Sequence, residues 1–153
     1  MKKWSRILGK ILFIVYIGFL LWFLIFSDWY GRSGVMEEYH YNLTPFKEIK
    51  RFWEYREQLG LASTLNLLGN VFIFVPFGFF EPMASRQRSF FGTVMDGFLL
   101  SLLVEVFQLI TKVGRLDVDD LILNTLGVVA GYIVFWICNT MRRKHGAKRT
   151  RTR

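Results

Sequence analysis

A single cysteine, Cys138, leaves the chain without any intrachain disulfide, and at the end of an apolar run it reads as a small packing residue. Its only two histidines, His40 and His145, lie far apart, and no Cys/His pair has the spacing of a zinc site. No glycine-rich phosphate loop and no G-x-S-x-G elbow occur. These absences exclude disulfide scaffolds, zinc modules, P-loop nucleotide enzymes and serine hydrolases of the elbow type. Acids are scarce as well, 12 against 20 lysines and arginines, for a net charge of +8. No nucleic-acid recognition motif accompanies that excess, and much of it directly follows an apolar run, where basic residues set topology and touch anionic lipid. Nucleic acid is therefore not an expected partner.

What the chain does have is apolar length. Hydrophobic residues make up 52% and aromatics 18% of its 153 positions. A helix needs roughly 20 mostly apolar residues to cross a ~30 Å hydrocarbon core. Four runs approach that length: 7–26, 65–80, 93–110 and 121–138. The second is broken by Asn66, Asn70 and Pro76, the third holds Asp96, Glu105 and Gln108, and the fourth holds Asn124. The fold class is all-α, a polytopic membrane protein with four transmembrane helices. Residues 1–141 form the membrane domain, and 142–153 a basic, irregular tail. The first run exceeds a signal-peptide core, and Phe26-Ser27-Asp28-Trp29 is no small-x-small cleavage site, so it reads as an uncleaved anchor.

Basic residues orient the spans. Lys2, Lys3, Arg6, Lys10, Arg86, Arg88 and seven in the tail fall on one side, thirteen of twenty. That side is the cytoplasm, which places both termini inside. The other seven share the outer side with nine acids.

The first outer loop holds Thr44-Pro45, a hydroxyl N-cap followed by a proline at the first helical position. Phe46, Ile49, Trp53 and Arg56 then recur at helical spacing. This predicts a short amphipathic helix, lying either on the outer membrane surface or on the loop's own residues. Ser63 or Thr64 would cap the second span. Gly127 and Gly131 form a small-xxx-small pair suited to close helix approach.

In this topology Asn70, Glu105 and Asn124 reach one level, roughly 6–9 Å below the outer boundary at 1.5 Å per residue. Asn66 lies one turn above Asn70. Gln108 and Lys112 continue the Glu105 stripe upward, and the loop 114–120 runs over all of them. Intramembrane ionisable groups carry either a partner or a task. In a functional reading they form a polar pocket open to the outer leaflet: Glu105 exchanges a proton, Lys112 and Arg115 hold an anionic group, and Asp117, Asp119 and Asp120 hold a divalent cation. In a structural reading Glu105 pairs with Arg115 or Lys112 and the amides link helices. The pocket reading is favoured for the set, the structural one for each residue taken alone.

Asn42-Leu43-Thr44-Pro45-Phe46, the run from Asn70 to Gly78, Glu105-x-x-Gln108 and Asp117-x-x-Asp120-x-x-x-Asn124-Thr125-x-Gly127 together resemble the VanZ-like family, small bacterial membrane proteins named for a teicoplanin-resistance protein. The resemblance spans about residues 40–131. It implies a multi-pass protein of the bacterial cytoplasmic membrane with an envelope role, such as lowered sensitivity to teicoplanin-type glycopeptides. It assigns no catalytic residue and no cofactor. Two functions follow. One is a non-enzymatic protein that binds a membrane lipid or a lipid-linked envelope intermediate. The other is a membrane enzyme that modifies such an intermediate, with Glu105 as general base and no evident nucleophile beside it. Oligomeric state is not legible.

Overall fold

The computed structural model describes residues 3–26, 38–85 and 89–151, so Lys2, Arg32, Arg86 and Arg88 lie outside the described residues. The chain is mostly helical. Its elements are α1 (Lys3–Phe26), β1 (Tyr41–Asn42), α2 (Lys47–Glu54), α3 (Arg56–Leu59), α4 (Leu61–Ala84), α5 (Phe90–Thr111), β2 (Leu116–Asp117) and α6 (Val118–Arg151).

Three helices contain segments long and apolar enough to cross a membrane: Leu67–Ala84, Phe90–Thr111 and Val118–Lys144. The first helix carries a shorter apolar run, Ile7–Phe23. The outward faces are strongly apolar, with Phe91 81%, Leu103 67%, Ile110 67% and Trp136 58% exposed. Water would not tolerate so many exposed large hydrophobics, whereas lipid would.

The helices outrun the apolar segments that announce them. The fourth helix starts at Leu61 behind Gly60, whose backbone lies at φ 57° and ends α3, so Ser63 and Thr64 fall inside the helix instead of capping it. The expected irregular tail is likewise replaced, because α6 continues as helix to Arg151.

The packing axis is α4 against α6. At Gly127 a side-chain carbon would overlap the carbonyl of Val71, at Gly131 that of Val75, and at Gly78 that of Val128. Backbone therefore meets backbone along this seam, the close approach that small residues permit. Around it lies a core of Leu20, Phe74, Phe77, Val104 and Val128. Phe13 on α1 meets Phe77 edge-to-face with ring centroids 5.4 Å apart. Pro76 lacks the N–H that a helix interior needs, and its ring crowds the preceding turn. In that turn the Tyr16 hydroxyl donates to the carbonyl of Ile73 at 2.6 Å, tying α1 to α4.

Candidate functional site

The segment ahead of α2 is clipped to the α5–α6 junction by a two-residue parallel bridge, with Tyr41 opposite Leu116 and Asn42 opposite Asp117. Sequence pattern could not announce it, since each strand has only two residues and the partners are 75 positions apart. Around this clip the polar residues converge.

Asn42 works in two directions. Its Oδ1 accepts from the Thr44 N–H at 3.2 Å, closing an Asx turn, while its Nδ2 donates to Asp117 Oδ1 at 3.0 Å. Asp117 Oδ1 also accepts from the N–H of Asp119 at 3.0 Å. The other oxygen, Oδ2, is buried and makes no hydrogen bond, but the Arg115 guanidinium Nε stands 3.4 Å from it as an ion-pair partner. Beneath, Glu105 Oε2 accepts from the Asp117 N–H at 2.9 Å. The sequence offered Arg115 or Lys112 as the partner of Glu105. The structure shows the Asp117 backbone amide as one of its partners, a donor that capping-style sequence reading did not consider.

Asp119 replaces the expected cap. The residue at the N-cap position of α2 is Phe46, in the left-handed region at φ 64° and with no cap from its own side chain. The Asp119 carboxylate arrives from α6 and accepts from the N–H groups of Phe46 at 2.5 Å, Glu48 at 2.7 Å and Ile49 at 3.1 Å. An anion at a helix N-terminus satisfies orphan donors and meets the positive end of the helix dipole. It also holds a backbone turn that costs a non-glycine residue about 1–2 kcal/mol. Thr44 caps nothing.

Glu48 was missed in the sequence because it reads as one of several surface charges. It is buried, and Arg51 lies 2.6 Å and Arg115 3.3 Å from its carboxylate. The i,i+3 spacing to Arg51 was the available signal. Both arginines are over 40% exposed, so these pairs are screened and weak individually. Lys112 leaves the Glu105 stripe, because α5 ends at Thr111 and Lys112 turns into the left-handed region. Its ammonium sits 4.7 Å from the centroid of the Tyr39 ring.

Asn70 donates to Asp120 Oδ1 at 2.5 Å, joining α4 to α6. Asn124 Nδ2 donates to Ser101 Oγ at 2.8 Å, joining α6 to α5, and Asn124 Oδ1 is buried without a hydrogen bond. Gln108 is fully buried; the Asn66 side chain lies outside the described residues. Ser101 stands one turn before Glu105 on the same face, a hydroxyl the sequence reading passed over. Thr93, Gly97, Ser101 and Glu105 recur every fourth position, which was the signal for it. At the far end of the bundle Thr93 donates to the buried Glu81 at 2.5 Å, a second acid that sequence reasoning missed.

The three aspartates thus turn to three different elements: Asp117 to β1, Asp119 to α2 and Asp120 to α4. Among the described residues no three His, Cys, Asp or Glu side chains form a group that could hold a metal ion. A cavity of ≈520 Å³ lies elsewhere, between α1 and α4, with an apolar lining.

Residues 13–139 match the VanZ/LLP1 family model, a stretch running from α1 through most of α6 and enclosing the whole polar knot. The chain belongs to the VanZ-like family. It is similar to Protein VanZ of Enterococcus faecium, 30% identical over 138 residues that cover 88% of this chain and 78% of that one. No solved structure matches it. In this VanZ-like chain the segments that carried the resemblance meet in space: Asn42 and Asp117, Asn70 and Asp120, Glu105 and the Asp117 amide.

Proposed function

We propose that this VanZ-like chain crosses the bacterial cytoplasmic membrane four times, with both ends in the cytoplasm, and lowers sensitivity to teicoplanin-type glycopeptides from the outer leaflet. It does so by binding, without turnover, a membrane lipid or a lipid-linked envelope intermediate. The observation that carries the reading is the similarity to Protein VanZ over 88% of the chain. The geometry is compatible with binding. The carboxylates of Glu48, Asp117 and Asp119 are occupied by guanidinium groups and backbone amides, an arrangement that fixes shape. The α2 segment, with Trp53 exposed on it and Tyr55 just beyond, would lie at the outer interface where amphipathic rings settle. The reading calls for no cofactor.

The test is expression of the chain in a susceptible Gram-positive host, with teicoplanin susceptibility and membrane abundance measured together. A rise in the inhibitory concentration over an empty vector is expected. Unchanged susceptibility at full abundance would sink the resistance role.

A further inference from the structure

Two guanidinium groups share one carboxylate oxygen beside the α5–α6 junction. Arg51 Nη2 lies 2.6 Å and Arg115 Nη2 3.3 Å from Glu48 Oε2. Like charges brought this close repel, so each needs an anchor of its own. Arg115 has a second carboxylate, with Asp117 Oδ2 3.4 Å from its Nε. Arg51 lies over the Phe52 ring, 5.0 Å from the centroid. Glu48 and Asp117 are buried, while both arginine side chains are nearly half exposed. A group approaching from outside therefore meets the cations first. The Nη1 of each arginine has no partner among the described residues.

We propose that this arginine pair binds the phosphate of a lipid headgroup, and a terminal phosphate monoester in preference to a diester. The inference rests on the reading that the chain binds a lipid or a lipid-linked intermediate, and it names the group recognised and the residues that take it. Depth fits. Arg115 lies three residues before α6 begins at Val118, and Glu48, on which Arg51 closes, donates its N–H to Asp119 in the first turn of α6. In the four-span topology that level is where hydrocarbon gives way to headgroups. The chemistry fits as well. Guanidinium is a planar fork whose N–H donors match two oxygens of a phosphate. A monoester presents three terminal oxygens and up to two charges, enough for both forks, whereas a diester presents two oxygens and one charge. The buried carboxylates hold the forks in place beforehand, which lowers the cost of ordering them on binding. Lys47 on the same helix is exposed and has no such anchor among the described residues.

The experiment uses the full chain in a neutral detergent and measures equilibrium binding of radiolabelled phosphatidic acid, with phosphatidylglycerol, phosphatidylcholine and inorganic phosphate as competitors. Phosphatidic acid should bind about tenfold tighter than phosphatidylglycerol, and phosphatidylcholine should not compete. Arg51→Gln should weaken phosphatidic acid binding roughly tenfold, the worth of one charge-assisted hydrogen bond. Arg51→Lys keeps the charge without the fork and should recover only part of the loss. Lys47→Gln should bind as the wild type does. Arg51 is the residue to change because Glu48 keeps Arg115 when it is gone, and a melting curve on each variant checks folding. Should Arg51→Gln fail to fold, Arg51→Lys and the wild-type competition series decide. An equal loss in Lys47→Gln would mean diffuse attraction to a basic surface and overturn the site. Equal competition by phosphatidylglycerol would overturn the monoester preference. Equal competition by inorganic phosphate would make the ligand free phosphate and overturn the lipid headgroup. No binding of phosphatidic acid by the folded wild type overturns the proposal outright. The assay in detergent depends neither on the number of crossings nor on teicoplanin. Binding with unchanged drug susceptibility would therefore sink the resistance reading and leave this one standing, and the reverse result would sink this one alone.

Discussion

Removing the Asp119 carboxylate would strip three backbone N–H groups of their acceptor in one step. Asp119→Ala should therefore cost more than the ~0.5–2 kcal/mol of an ordinary N-cap, roughly 2–5 kcal/mol, because the site is buried and an ionic acceptor is lost. Thermal unfolding in detergent would read the loss, together with faster proteolysis within residues 43–60. An unchanged melting point would show that α2 holds without its distant cap. Asp119→Asn keeps one acceptor oxygen and should fall between the two. Glu105 is a milder case. Its Oε2 accepts a backbone amide at 2.9 Å, a role that an amide oxygen also fills. Glu105→Gln should be abundant, within about 1 kcal/mol of wild type, and active, whereas Glu105→Ala should cost about 1–3 kcal/mol by orphaning the Asp117 N–H. Abundance, melting point and drug susceptibility must be measured on the same variants. An abundant, stable but inactive Glu105→Gln would show that the charge does chemistry and restore the enzyme alternative.

Among elements, the α4–α6 seam makes the clearest demand. A leucine at Gly131 would have to displace the Val75 carbonyl and the Gly78 backbone, so Gly131→Leu should lower abundance or abolish folding. Overpacking costs about 1–3 kcal/mol where side chains can yield, and backbone yields less readily. A fully abundant variant would mean that the seam tolerates separation. This seam was legible, since two glycines four apart in an apolar run have few other uses. The runs that mark α4, α5 and α6 were legible too, because bilayer thickness fixes their length. Helix ends were not. The apolar run says where lipid contact is needed, but α4 begins at Leu61 because Gly60 ends α3, and α6 continues past Cys138 and through Gly146 to Arg151 with no proline to stop it. The polar cluster was half legible. Depth counting found Asn70, Glu105 and Asn124, and the two amides do link helices, but it did not reach their partners Asp120 and Ser101 or the Asp117 amide on Glu105, because a count of depth along each helix does not say which side chains face one another. Asp119 as the cap of α2 was out of reach, because capping motifs are read locally and this cap lies about 70 residues along the chain.

For the whole molecule, the decisive quantity is the number of membrane crossings. Helices α4, α5 and α6 are each long and apolar enough to span, while the apolar run of α1 covers only Ile7–Phe23. Three crossings would put the two ends of the chain on opposite sides of the membrane; four, oriented by the basic residues, put both in the cytoplasm. Two observations favour four. First, α1 packs along α4, with Phe13 against Phe77 and Tyr16 bonded to Ile73, which holds it beside a spanning helix at the same depth. Second, basic residues at the start of the chain, between α4 and α5, and after α6 total thirteen of twenty, as expected if all three segments face the cytoplasm. The run is short but its partner helix shields one face, and a short span is accommodated by local thinning of the bilayer at a fraction of a kcal/mol per Å. Reporter fusions after Glu57 and after Arg153 should therefore read outside and inside respectively. The Glu57 fusion carries the discrimination: with α1 lying on the cytoplasmic surface, the α2–α3 segment and the knot around Asp117 would have to sit inside, and both reporters would read on the same side of the membrane only if α4, α5 and α6 did not cross as an odd set. An inside reading at Glu57 would remove α1 as a span and with it the outer-leaflet placement of the polar knot.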